Sequence, residues 1–147
     1  MERYGLIFAL VAAVVASGCV SSTSDGQSSA NYSEVTSDSE IGPNTTVVNY
    51  TDSGFEPSTV EIERGETVQF VDLSGTPMWV GSNNHPTHTK YDGSSTREHC
   101  ENGEAVNESV FDQCSAGETY SFTFDKTGEF GYHNHQGPQD SGTVVVS

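Results

Sequence analysis

Positive charge is what this chain has least of. Lysine and arginine together number 5 against 21 aspartates and glutamates, for a formal net charge of -16 at pH 7. A surface this acidic repels phosphate backbones and anionic headgroups, which excludes a duplex-binding role. Charged residues of both signs amount to only 18% and apolar residues to 33%, the balance being mostly Ser, Thr, Asn, Gly and Gln. That profile excludes a coiled coil and long amphipathic helices, and it suits a β-rich extracellular domain with a polar tail. Long hydrophobic runs are missing too: Leu6–Ala16, 11 residues, is too short to span a bilayer as a helix. With 147 residues there is room for one domain, or one domain and a tail, but not for a multi-domain enzyme. A compact domain so acidic repels itself at low salt and is screened at high salt, so a halophilic habitat is expected.

The amino terminus reads as an address. Arg3 is a thin positive region, Leu6–Ala16 an apolar one, and the small residues Ala16, Ser17 and Gly18 precede Cys19. The run resembles a lipoprotein signal with its lipobox, in which residues 1–18 are removed and Cys19 is lipidated. The alternative is an ordinary signal peptide with a chance cysteine. One lipidated end would hold the domain at the outer face of the cell membrane. Residues 19–43 are expected to form a flexible tether, since eight of the residues from 20 to 43 are Ser and the isolated Val35 and Ile41 build no core. Asn31, Asn44 and Asn107 each open a glycosylation sequon, which is compatible with export.

Strand signals begin near Asn44, so the folded domain is expected over 44–147. Val47, Val48 and Tyr50 form a first short strand. In Thr59–Glu63, Val60 and Ile62 alternate with Glu61 and Glu63; in Thr67–Val71, Val68 and Phe70 take the inner positions. Tyr120, Phe122 and Phe124 share one face, as do Phe130 and Tyr132, and Thr143–Val146 closes the chain. Seven or eight short strands punctuated by glycine turns predict an all-β, Greek-key β-sandwich. The stretch from about 74 to 116 has little periodicity. It is too long for a hairpin loop, so it is expected to carry function or a covalent staple.

The cysteines supply a candidate staple. With Cys19 set aside, Cys100 and Cys114 remain, and in an exported protein such a pair reads as one disulfide. A loop of about 15 residues closed this way contributes roughly 3 kcal/mol in the chain-entropy model. The alternative is a pair of soft metal ligands, with no third cysteine to complete the set.

The five histidines all lie between 85 and 135. Four fall in two tight groups, His85-Pro86-Thr87-His88 and His133-Asn134-His135; His99 stands alone beside Cys100. If the strand through Tyr132 continues, His133 and His135 project to the face opposite Phe130 and Tyr132. That breaks core burial in favour of paired ligands. Imidazole suits copper and zinc, with neutral histidine the working form near pH 7. His85, His88, His133 and His135 are therefore the candidate metal ligands, the alternative being surface histidines or loop histidines with ordinary partners.

Gly54-Phe55-Glu56-Pro57 followed by Val60-Glu61-Ile62-Glu63-Arg64-Gly65-Glu66-Thr67-Val68 resembles the opening of the cupredoxins, the plastocyanin and azurin family. The resemblance runs on through Gly117–Phe124, Gly128-Glu129-Phe130 and Gly142–Val146, nearly all of 44–147. It implies a Greek-key sandwich with copper at one end and, as the family's function, electron transfer. By that resemblance His85 matches the first histidine ligand and His135 the second. The family's cysteine falls on His133 or Asn134, and its weak methionine near Asp140 or Ser141. Neither residue type is present there, so no ordinary blue centre is expected. Tyr132-His133-Asn134-His135 and His85-Pro86-Thr87-His88 also resemble the Tyr-His-x-His and His-Pro-x-His motifs of multicopper oxidases, which implies copper and brings in His88 and His133.

The resulting expectation is a copper-binding, cupredoxin-like protein tethered to the outer face of the membrane, with a histidine-rich, non-blue site and no nucleic-acid partner. His88 is either a fourth ligand or a partner behind the ligands, and Asp140 a candidate oxygen ligand. Nitrogen ligands favour Cu(II), and zinc in a tetrahedral histidine site is the competing metal. Electron transfer to a redox partner, copper storage or delivery to a copper-handling protein, and a structural or zinc-binding role are the readings to separate. A catalytic role would need an open coordination position, which three histidines and a water would permit, but no acid or base residue can be tied to the site, and His99 and Glu98 are candidates by composition alone. The chain is accordingly read as a binding protein rather than an enzyme. Trp79, close to His85 in sequence, is expected to pack at the core or rim.

Overall fold

β-branched and aromatic residues at alternate positions build both halves of the molecule. The structure, a computed structural model, describes residues 42–147. The expected signal, Cys19 and residues 20–41 of the tether lie outside the described residues. The strands are β1 (Thr45–Thr51), β2 (Gly54–Glu56), β3 (Thr59–Ile62), β4 (Thr67–Asp72), β5 (Val80–Ser82), β6 (Cys100–Glu101), β7 (Glu104–Ala105), β8 (Thr119–Thr123), β9 (Gly128–Asn134) and β10 (Gly137–Val146). A single helical turn, α1 (Thr96–His99), precedes β6. Two four-stranded sheets result, ordered β2-β1-β4-β8 and β3-β10-β9-β5, with β6 and β7 a separate small pair.

The chain changes sheet between β2 and β3, between β3 and β4, and again between β4 and β5. These crossovers make β1 parallel to β4 and β10 parallel to β3, while the other pairings are antiparallel. The expected all-β Greek-key sandwich is thus the observed architecture. Inner faces follow the predicted alternation: Val68 and Phe70 from β4, Val60 and Ile62 from β3, and Val144 and Val146 from β10 are all buried. Aromatic rings join the two layers. Phe70 meets Tyr132 edge-on with centroids 5.0 Å apart, and Phe55 meets Tyr132 at 4.9 Å. The Tyr132 hydroxyl is buried with no hydrogen-bond partner among the described residues. It lies where a Cβ on Gly142 would sit, so glycine is needed at that point of β10.

Two strands run differently from the sequence expectation. β10 starts at Gly137 rather than Thr143, with a register irregularity against β9 between Gly137 and Ser141. Its polar first half hides the strand from any hydrophobic pattern. β8 ends at Thr123, so Phe124 is buried beyond the strand rather than within it.

The aperiodic middle carries the expected staple and two of the candidate histidines, His85 and His88. Cys100 and Cys114 are joined in a disulfide, which removes the soft-ligand alternative for that pair. The return segment 111–113 pairs with the edge of β5: Ser82 N–H donates to Phe111 O (3.0 Å), Gln113 N–H to Val80 O (2.9 Å), and Gly81 faces Asp112 in a bridge. The excursion is thereby pinned against the strand that leads to the first histidine group.

Candidate metal centre

β5 and β9 lie side by side, with Val80 opposite Asn134 and Gly81 opposite His133. β5 leads into the loop bearing His85 and His88, and β9 ends at Asn134, one residue short of His135. The loop doubles back at once, because the N–H groups of Thr87 and His88 both donate to Asn84 O, at 2.8 and 2.7 Å. His88 takes a left-handed φ of 56°, uncommon for a residue with a Cβ. This turn brings its ring over Gly81, where an added Cβ would overlap Cε1, Nδ1 and Nε2 of the imidazole. On the other side the Asn134 side chain ties the loops together: its Oδ1 accepts from Trp79 N–H (2.9 Å) and Gln136 N–H (3.1 Å), and its amide donates to Pro77 O (3.1 Å).

The four candidate histidines converge. One ring nitrogen from each of His85, His88, His133 and His135 lies within 4.8 Å of the other three. His135 Nδ1 is 2.8 Å from His88 Nε2, and His85 Nδ1 is 3.3 Å from His133 Nε2. With metal–nitrogen bonds of about 2.0–2.1 Å, two ligands of one ion stand about 2.9 Å apart at a square corner and about 3.4 Å apart on a tetrahedral edge. The donor set and its spacing fit a single copper or zinc ion. His88 and His133 are buried, His135 is half-buried and His85 is exposed, so the site opens to solvent on the His85 side.

The buried pair is held from behind. His133 donates its Nδ1 proton to Asn83 Oδ1 (3.0 Å), leaving Nε2 as the free donor atom. Asn83 packs so tightly on β9 that a Cβ at Gly131 would overlap its amide. His88 donates its Nδ1 proton to Asp112 Oδ2 (2.5 Å). Trp79 stacks on His135 with ring centroids 4.2 Å apart and donates Nε1–H to Asp112 Oδ1 (2.8 Å). It is a rim residue of the site, as its position near His85 suggested.

Burial, joined by the facing imidazoles of His88, His85 and His135, holds His133 down at about 4. The same influences, burial first, lower His135. Burial pushes the Asp112 carboxyl upward, but hydrogen bonds from His88 and Trp79 outweigh it and keep the group below the usual range. The lone pair of His133 thus stays free of protons under mildly acidic conditions. In the metal-free protein, an NMR titration is expected to show His133 protonating near 4, against about 6.5 in the unfolded chain. Between those values the unfolded state binds more protons. Stability therefore rises with pH across the window and is lost as pH falls from about 6.5 to about 4. Urea midpoints at pH 7 and pH 4.5 test this: the lower pH gives the lower midpoint, and the gap shrinks in His133→Gln. Equal midpoints would contradict it.

Three other expectations resolve differently. Asp140 is not a member of the histidine group; its Oδ2 accepts from Tyr50 O–H at 2.7 Å. Glu98 caps α1, its carboxylate accepting from Ser95 N–H at 2.8 Å. His99 is buried between Asp92 and Asp112, at 3.1 and 3.3 Å, and offers no nitrogen to the group. Asp112 was not singled out from the sequence. It sits in the aperiodic stretch, and its only local marks are the neighbouring Phe111 and Cys114.

The family model for copper-binding proteins of the plastocyanin/azurin family matches residues 44–147. The chain belongs to that family. A plastocyanin of Scenedesmus fuscus is 36% identical over 100 residues, covering 65% of this chain and 91% of the plastocyanin. Among solved structures, a variant of amicyanin in its Cu(I) form is 20% identical, with a TM-score of 0.51 over 74% of this chain and 87% of that one. A purple cupredoxin from Nitrosopumilus maritimus is 18% identical, with a TM-score of 0.48 over 69% of this chain and 99% of that one. At these identities the amicyanin likeness carries the fold alone. Membership of a copper-binding family and a histidine group able to hold a metal agree with each other. This cupredoxin differs from the blue-copper pattern in that its only described cysteines are bonded to each other.

Proposed function

We propose that this cupredoxin binds copper through His85, His88, His133 and His135 and works at the outer face of the cell membrane, anchored through Cys19. The observation that carries the reading is the convergence of four imidazole nitrogens within 4.8 Å, the two buried rings each donating its other N–H to a fixed acceptor. Copper in such a set would supply a one-electron couple without thiolate character. What the chain contributes is a preformed nitrogen cage, shielded on one side by Trp79 and open at His85. Reversible electron exchange with a redox partner through the exposed His85 edge is the activity favoured here. The all-nitrogen donor set favours Cu(II), and this supports a second reading, storage of copper and its delivery to a copper-handling protein.

Loading the protein with one equivalent of Cu(II) tests both. The expected product holds one copper per chain, is pale, lacks an intense thiolate band and shows a large parallel hyperfine splitting in its EPR spectrum. Reversible one-electron reduction with copper retained supports electron transfer. Loss of copper on reduction supports delivery. Tight zinc in place of copper, or no tight metal, would sink both.

A further inference from the structure

Asp112 is the most heavily engaged side chain around the site, with two hydrogen bonds at each carboxylate oxygen. Its side chain is fully buried. Oδ2 accepts from His88 Nδ1 at 2.5 Å and from His99 Nδ1 at 3.3 Å; Oδ1 accepts from Trp79 Nε1 at 2.8 Å and from Cys114 N–H at 3.0 Å. His99 is anchored in turn, its Nε2 lying 3.1 Å from both Asp92 Oδ1 and Ser94 Oγ. Cys100 follows His99 directly and Cys114 comes two residues after Asp112, so the disulfide clamps the backbone on both sides of this pair. A buried carboxylate without donors would be costly to the fold. Here the donors come from the first histidine loop, the rim tryptophan and the stapled excursion.

We infer that Asp112 is a positioning residue for copper: its carboxylate fixes His88 in the tautomer that presents Nε2 to the metal group. This rests on the four-histidine reading above. An ionised carboxylate only accepts, so His88 must carry its proton on Nδ1, and the lone pair is left on Nε2. That nitrogen is the one facing His135 Nδ1 at 2.8 Å. The ring is fully buried and packs directly on Gly81, where a Cβ would overlap it. A carboxylate behind a ligating imidazole also makes it a stronger donor, and loss of such a partner typically costs 10–100-fold in metal affinity. His133 has the same arrangement with a neutral acceptor, Asn83. The two buried ligands are thus unequal, and the negatively charged support stands behind His88 alone. That charge favours the higher oxidation state of a metal held by His88.

Asp112→Asn in the full chain is the test, read beside His88→Ala. Asp112→Asn is expected to keep the disulfide and the far-UV spectrum, to lower Cu(II) affinity in chelator competition by about 10–100-fold, to alter the EPR hyperfine splitting and to raise the reduction potential. Wild-type affinity, EPR and potential in both Asp112→Asn and Asp112→Leu, the second of which leaves His88 Nδ1 without its acceptor, with all three changed in His88→Ala, would reduce Asp112 to a structural residue and overturn the inference. No change in His88→Ala would instead remove His88 from the ligand set, and the four-histidine reading with it. Should Asp112→Asn fail to fold, long-range ¹⁵N NMR of the metal-free wild type decides. A proton on Nδ1 of His88, shifted far downfield by its carboxylate, supports the inference, and a proton on Nε2 alone overturns it.

Discussion

His133→Ala is expected to abolish tight copper binding while leaving the sandwich folded. Of the four candidate ligands it is buried like His88, and it alone projects from within a strand of the main sheets. Its Nε2 stands 3.3 Å from His85 Nδ1, and its ring is 5.0 Å from that of His88 and 6.4 Å from that of His135. Removing it deletes a donor atom and leaves a polar hole that water can enter. The loss of affinity should exceed the 10–100-fold that follows removal of a partner behind a ligand. Asp140→Asn is the paired control. Its carboxylate bonds to Tyr50 rather than to the histidine group, so copper affinity and the EPR spectrum should be those of the wild type. Isothermal titration with Cu(II) in a weakly chelating buffer reads both variants. Unchanged binding in His133→Ala, or a clear loss in Asp140→Asn, would place the metal elsewhere.

The parts of this molecule that could be read from the sequence are those fixed by short-range pattern. Val60 and Ile62, or Val68 and Phe70, declare a half-buried strand within five residues, because a period of two can bury only one face. The histidine groups are legible for a similar reason: His133 and His135, two apart, fall on the face opposite Phe130 and Tyr132, so a continued strand projects both imidazoles to one side. Asp112 shows the opposite case. It is one of 21 acidic residues, and nothing local distinguishes it from those that face solvent. Its burial comes from the pairing of 111–113 with β5, about 30 residues earlier in the chain, and from donors on three separate segments. Asp140 was misread because sequence position suggested a ligand while its actual partner, Tyr50, is 90 residues away. His99 lacked a neighbouring histidine, and so its place between two carboxylates had no signature. Position along the chain thus identified the ligand candidates, while the residues that orient them depend on how the long excursion returns.

Gly81, like Asp112, is explained only by the folded chain, and Gly81→Ala is expected to have the largest effect of any change that touches no ligand atom. Gly81 lies in β5 directly opposite His133, and the ring of His88 occupies the place a Cβ would take. His88 is held against moving aside, because Asp112 binds its Nδ1 and the N–H of His88 is tied to Asn84 O in the doubled-back loop. Overpacking of this kind typically costs about 1–3 kcal/mol. Copper affinity should fall as far as in His88→Ala, since the displaced ring no longer presents Nε2 toward His135. A double-mutant cycle separates this cause from a general fault in the strand. In a His88→Ala background the methyl group has room, so Gly81→Ala should then cost little further stability and no further affinity. Urea unfolding and copper titration of the four proteins give the coupling. If Gly81→Ala destabilises both backgrounds equally, the glycine serves the β5 strand and not the seat of His88.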